Sequence, residues 1–214
     1  MSPTRRMRIG ILGSVGLGSA MARLAVNAGH AVRVATGSPV RDAGAVPGTA
    51  LADPVGLADA DLILLAVPLR KYCSVDRSAL AGKIVIDAMN YRPATDGFLA
   101  GFEVPGITSS EVVQASLPTS HVVKSLNRMS RRDLDEACRL QGTAGRRAVA
   151  LAGDDRAAKD VVGWFIDSLG YDPVDAGPLT AGRLFHPGTE IFNGSHTAEQ
   201  LQALLSNLTQ PASA

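Results

Sequence analysis

Aromatic residues make up only 4% of this 214-residue chain. That scarcity excludes a single-stranded nucleic-acid binder built on stacking platforms. Charge of one sign is lacking too. Lys and Arg number 21 against 20 Asp and Glu, a formal net charge of +1, so no strong field draws the chain to nucleic acid or a membrane surface. Cysteine is limited to Cys73 and Cys138, too few for a disulfide framework or a zinc site, and the pair fits a reducing compartment. His30, His121, His186 and His196 lack metal-ligand spacing, and no metal is expected. The most apolar segment, residues 62–69, is far too short to span a bilayer. The opening MSPTRRMRIG enters a short strand-like run with no signal-type region behind it. Neither a G-x-S-x-G elbow nor a Cys–His signature is found. These absences lead us to expect a cytoplasmic protein with no nucleic-acid or membrane partner.

What the chain does have is MRIGILGSVGLG at residues 7–18. An apolar run ends in clustered glycines, and SAMARLAVNAG then reads as a helix. Backbone N–H groups at a helix start lack internal partners, and the helix dipole places partial positive charge there. Strand, tight turn and helix start together make a phosphate site, the first unit of a dinucleotide-binding fold. Further buried strands are expected at 31–35, 61–67, 83–87, 121–126, 147–151 and 172–175, with a short helix closing at 57–60. Longer helices are expected at 19–28, 109–115, 131–140, 154–169 and 197–208, with Ser109 or Ser110 capping the second. Residues 36–47 and 88–106 read as loops rich in Gly and Pro. Alternating strands and helices indicate an α/β, Rossmann-type, doubly wound and mainly parallel sheet. It should occupy residues 1–176. Residues 177–214 are too few for a core of their own and are expected to pack as a small C-terminal helical lid over the sheet's C-terminal edge.

Gly13 and Gly18 take the first and third places of G-x-G-x-x-G, but Val15 stands at the second and Gly16 follows it. The cluster also reads G-x-x-G-x-G, a loop shifted by one residue that keeps bare backbone near the phosphate. Either way Gly13, Ser14, Val15, Gly16, Leu17 and Gly18 are the expected diphosphate contacts. NAD-preferring sites usually carry an acidic residue where the second strand ends. Here Thr36, Gly37 and Ser38 stand there, with Arg41 behind. Their hydroxyls and that charge suit a 2′-phosphate, which favours NADP(H) over NAD(H). At the next two strand ends, Ala66, Val67 and Pro68 form an apolar corner for the nicotinamide ribose. Asn90 either bonds the ribose or carboxamide or is a plain turn residue.

In order along the chain, LLAVP, KIVIDAMN, HVVKSLN, VALAGDD and DPVDAGPLTAGRLF resemble the NADP oxidoreductases that use the deazaflavin coenzyme F420. The likeness runs from about residue 7 to 185. DAMN, VVKSLN and DAGPL carry it; the glycine loop is common to many families. The resemblance implies an oxidoreductase with NADP(H) and a deazaflavin stacked in a cleft, hydride passing from one ring to the other with no general acid or base at the transferring carbon. It places Asn127, Arg128 and Met129 beside the second substrate, and has the segment with Leu179 and Arg183 help close the site. This chain departs from the family's pattern at three points: Asn127 replaces a histidine, Gly37 and Ser38 replace basic residues, and the tail after Phe185 is not an apolar helix.

Two other readings stay open. A reductase of a small carbonyl or imine compound would use Asn127 or Lys124 to polarise and protonate. Strand alternation puts those two on opposite faces unless the strand ends between them, which makes Lys124 a weak catalytic candidate and a solvated strand-end residue by default. A non-catalytic NADP(H) sensor is the third reading. Among the histidines, His186 is the best placed to face a substrate, and His30 is expected to serve the dipole at the end of the first helix. Arg131, Arg132, Arg146 and Arg147 are expected on solvated surface. A homodimer is expected on frequency alone.

Overall fold

The computed structural model describes residues 6–13, 16–35, 46–52, 55–129 and 145–209. Among them, eight strands form one sheet: β1 (Arg8–Leu12), β2 (Ala31–Ala35), β3 (Thr49–Ala52), β4 (Leu62–Leu65), β5 (Ile84–Asp87), β6 (His121–Ser125), β7 (Ala148–Gly153) and β8 (Asp172–Asp175). Their spatial order is β3-β2-β1-β4-β5-β6-β7-β8. All neighbours pair in parallel except β6 and β7. After β3 the chain returns to the other side of β1, so the crossovers diverge between β1 and β4. A doubly wound sheet opens its ligand crevice at that divergence, outside the carboxyl ends of the strands.

Period-two side-chain alternation feeds two cores. Ile9, Ile11, Leu62, Leu64, Ile86, Val123, Val149 and Leu151 point to one face. There they meet α1 (Leu17–Asn27) and a later amphipathic helix, Arg156–Ser168, which supplies Val162, Phe165 and Ile166. Leu12, Ile63, Leu65, Val85 and Val122 point to the other face, against Val113 and Leu117 of α2 (Ser109–Ser116) and its end. The helix Arg156–Ser168 is α3, and Ala198–Thr209 is α4. The α/β, Rossmann-type, doubly wound architecture read from the sequence is the one observed.

Several local expectations change. The chain enters α1 at Leu17, two residues early, because Gly16 at φ +63° makes the turn. Gly29, at φ +87°, stops the helix as expected. Thr49–Ala52 is an edge strand that the sequence pattern did not announce. The helical turn expected at 57–60 is a 3-10 turn at Val55–Leu57. The loop 88–106 holds two turns, Pro93–Asp96 and Ala100–Phe102. Thr108, not Ser109 or Ser110, caps α2, in a reciprocal capping box with Glu111. The helix expected at 131–140, with Arg131 and Arg132, lies outside the described residues.

The C-terminal segment does more than reach over an edge. The 3-10 run Leu179–Phe185, the turn Glu190–Asn193 and α4 cover the face of β7 and β8. Ala148, Ala150, Ala152 and Val174 are buried there under Ala181, Phe185, Ile191, Leu201 and Leu205. The small alanine row on β7 lets this layer lie close.

Candidate functional site

At the β1–α1 joint each described glycine has a distinct reason. A Cβ on Gly13 would run into the backbone carbonyl of Ala66 at the end of β4, and one on Gly18 would run into the carbonyl of Gly13. These two let strand, loop and helix pack. Gly16 differs: it holds a left-handed φ, yet among the described residues a Cβ there would meet nothing within 4 Å. It is also the N-cap of α1, with no side-chain cap and no acidic residue in the first turn. Open space, bare backbone and an uncapped helix start therefore coincide at Gly16 and Leu17, the chemistry of an anion cradle. Of the two loop registers, the one placing Gly16 at the open position matches this geometry. Ser14 and Val15 lie outside the described residues, as do Thr36, Gly37, Ser38 and Arg41.

The next strand ends border the same crevice. Ala66 N–H donates to Leu12 O across the β1–β4 divergence (2.8 Å), and Val67 and Pro68 lead into the turn Leu69–Tyr72. Beyond β5, Asn90 Nδ2 donates to Asn127 O (2.6 Å) and Asn127 Nδ2 donates to Asn90 Oδ1 (2.9 Å). Asn127 Nδ2 also donates to Phe185 O (3.0 Å). Leu126, at φ +59°, turns the chain so that Asn127 reaches back. A left-handed leucine costs about 1–2 kcal/mol, and such strain collects at functional sites. The structure thus brings Asn90 and Asn127 together and ties both to the C-terminal segment. Arg128 Nε is tied there too, donating to Phe192 O (2.8 Å).

Beneath this pair sits a buried ionic cluster. Lys124 is only 3% exposed and Asp87 0%, which corrects the expectation of a lysine in water. Register pairs the two residues across β5 and β6. The Lys124 ammonium donates to Met89 O and lies 3.4 Å from Asp87 Oδ2. That carboxylate also accepts from Ser110 Oγ (2.7 Å) and, through Oδ1, from Met89 N–H (2.9 Å). Burial pushes the Lys124 amine below its ordinary value, with Asp87 opposing. Asp87 and Ser110 were not singled out from the sequence. The available signal was a lysine and an aspartate in otherwise apolar strands, KIVID and HVVKS.

Other expected positions move. Leu179 is 1% exposed and packs in the core with Val113 and Val122, so it offers no surface to a substrate. Met129 is buried in the opposite core. Arg183 is exposed. His30 is no helix-dipole partner: it is buried, its Nδ1 accepts from Met7 N–H (3.3 Å), and its Nε2 lies 2.9 Å from Ser168 Oγ. Ser168 donates its own proton to Phe165 O (2.6 Å), which makes His30 Nε2 the donor and fixes a neutral tautomer. Arg146 is buried rather than solvated, spanning Gly170 O, Asp167 and Tyr171 O at the end of α3. His186 is exposed, with Nδ1 2.7 Å from Pro187 O. The histidine near Asn127 and Arg128 is His196, which lines a small cavity with them, Phe185 and Ile191. Among the described residues no cluster of three metal-ligating side chains occurs, and no helix is long and apolar enough to cross a membrane.

The sheet order, the parallel pairing and the β1–α1 turn are those of the Rossmann architecture. Residues 8–91 match the family model described as NADP oxidoreductase coenzyme F420-dependent, the family that the motifs resemble. The metalloreductase STEAP3 of Rattus norvegicus is 30% identical over 185 residues, 85% of this chain; the chain spans about a third of that protein's length (36%). A crystal structure from Arthrobacter sp. FB24, of a protein provisionally described as an F420-dependent NADP-reductase, superposes with a TM-score of 0.69. It is 29% identical and covers 83% of this chain and 87% of that one. The hypothetical protein SMa0349 from Sinorhizobium meliloti shares the fold, with a TM-score of 0.74 at 24% identity, covering 92% of this chain and 97% of its own.

Proposed function

We propose that this chain binds NADP(H) across the C-terminal edge of the sheet and serves hydride transfer between that cofactor and a second small molecule, by family resemblance the deazaflavin coenzyme F420. The observation that carries the reading is Gly16: a left-handed N-cap over open space at an uncapped helix start. The diphosphate fits there, against the N–H groups that begin α1. Thr36, Ser38 and Arg41 follow β2 and would hold the 2′-phosphate; Ala66, Val67 and Pro68 would pack on the nicotinamide ribose. When bound, the nicotinamide supplies or accepts the hydride, and the second substrate completes the exchange. The residues of this chain contribute position and exclusion of water. Asn90 and Asn127 present a fixed amide pair at the reacting end. Arg128 and the segment after Gly177 would bound the second substrate.

Reduction of a carbonyl or imine needs a proton donor at the acceptor. The Asn127 amide spends both its protons on internal acceptors, and the Lys124 ammonium is buried, held by Met89 O and Asp87. That counts against this second reading and favours a ring-to-ring hydride transfer, in which no proton has to be delivered at the accepting carbon.

The test is a titration of purified protein with NADPH, NADH and oxidised F420, followed by NADPH oxidation with F420, flavin and simple ketones as acceptors. We expect NADPH to bind more tightly than NADH and F420 to be reduced. NADPH binding with no turnover on any acceptor would instead mark a sensor. Arg41→Glu is expected to weaken NADPH binding at least tenfold and NADH binding little, through loss of a charge-assisted contact; equal losses would remove Arg41 from the specificity argument.

A further inference from the structure

We infer that Lys124 and Asp87 are positioning residues for the nicotinamide end of the dinucleotide, acting through the Asn90–Asn127 amide pair. The inference rests on the NADP(H) reading above. Its basis is the way Met89 is held. Asp87 accepts the N–H of Met89 and Lys124 donates to the C=O of the same residue. Both polar groups of the residue just before Asn90 are therefore fixed from below by a buried ion pair. Ser110 of α2 braces the carboxylate from the side. Asn90 then meets Asn127 through two reciprocal hydrogen bonds, and Asn127 continues to Phe185 O. Three chain segments are locked at one height: 87–90 after β5, 124–127 after β6, and the run Leu179–Phe185.

Lys124 cannot itself touch a substrate. Its side chain is 4% exposed, and the run Leu179–Phe185 covers it so closely that a Cβ on Gly182 would come 3.2 Å from Lys124 Cγ. A buried pair need not add to stability, and apolar replacements often serve as well or better. What the pair does provide here is direction: each partner grips one of the two peptide groups that flank the Met89 Cα. The diphosphate cradle at Gly16 shares none of these bonds. The pair should therefore govern how the nicotinamide half is held and leave the adenosine half untouched.

The experiment compares two ligands on the full chain: NADPH, and 2′-phospho-ADP-ribose, which has the same diphosphate and 2′-phosphate but no nicotinamide. Lys124→Met leaves Asp87 buried without its cation and risks misfolding, so Lys124→Met/Asp87→Asn is made alongside. The double variant keeps an acceptor for Met89 N–H and leaves no lone ion; it lacks the grip on Met89 C=O and the acceptor for the Ser110 hydroxyl. In the double variant, NADPH affinity should fall about tenfold, the worth of one or two hydrogen bonds, while affinity for the fragment changes less than about twofold. Hydride transfer should lose kcat more than it raises KM, since the misplaced group is the reacting one. Equal losses for both ligands would show a merely structural pair and overturn the inference. Unchanged affinity for both would overturn it as well. Failure of the wild-type chain to bind either ligand would sink the NADP(H) reading itself and take the inference with it.

Discussion

Two glycines in one loop answer to different constraints, and substitution separates them. A Cβ on Gly18 collides with the carbonyl of Gly13, backbone against backbone. Gly18→Val should therefore cost about 1–3 kcal/mol of stability, as overpacking does, and abolish dinucleotide binding because the loop itself must move. Gly16→Ala meets nothing among the described residues. Its cost in stability is only that of a left-handed alanine, about 1–2 kcal/mol, but its methyl group enters the space assigned to the diphosphate. NADPH affinity should fall more than about tenfold there, beyond anything the stability loss explains. Thermal melts and calorimetric titrations of both variants check the contrast. Tight binding by Gly16→Ala would show that the cradle is elsewhere. His30 supports a pH prediction at the same scale. Burial lowers its pKa from the ordinary 6.5. The unfolded chain takes up that proton first as pH falls, so the contribution of neutral His30 is complete above 6.5 and is lost progressively below it. The melting temperature should drop as the pH falls below 6.5, and His30→Gln, which cannot be protonated, should flatten that drop. A variant with the same acid limb as the wild type would show that other groups set it.

Among the elements, α2 shows how a local signal reaches the site. Thr108 and Glu111 form a reciprocal capping box, and the helix they start carries Ser110 to Asp87. Thr108→Ala should lower stability by about 1 kcal/mol in a denaturant titration, with a smaller loss in NADPH affinity. A change below measurement error would mean that solvent replaces the cap. The sequence revealed elements of this kind unevenly. β1, β4 and β5 announced themselves as apolar runs because a parallel strand is buried on both faces. β3 did not: TALA is four residues long and sits at the sheet edge, where tertiary pairing with β2 rather than composition makes it a strand. The glycine turn between β1 and α1 was legible because its backbone needs are local. The Lys124–Asp87–Ser110 cluster was not, since its partners come from β6, β5 and α2, and only strand register and a helix crossing bring them together. Leu179 failed for the converse reason. Its place in a motif says nothing of which way a 3-10 run turns its first side chain.

For the whole molecule, the question is whether residues after Gly177 form a lid that can be removed. The packing says otherwise. β7 presents Ala148, Ala150 and Ala152 to that segment, and all three are buried beneath Phe185, Ile191, Leu201 and Leu205. Without the segment, an alanine-lined face of two strands would meet water and Lys124 would lose its cover at Gly182. Asn127 would also lose the carbonyl of Phe185, and Arg128 that of Phe192. A separable lid would leave the remaining sheet cooperative, because its own core would be complete. Here the third cluster is shared between the two parts, so neither is complete alone. We therefore expect the chain cut after Gly177 to lose its single cooperative melting transition, to bind a hydrophobic dye, and to bind NADPH poorly although every glycine of the cradle remains. A truncated chain that melts cooperatively and holds NADPH as tightly as the full chain would show that the segment is a dispensable cover and that the Asn90–Asn127 pair stands without it.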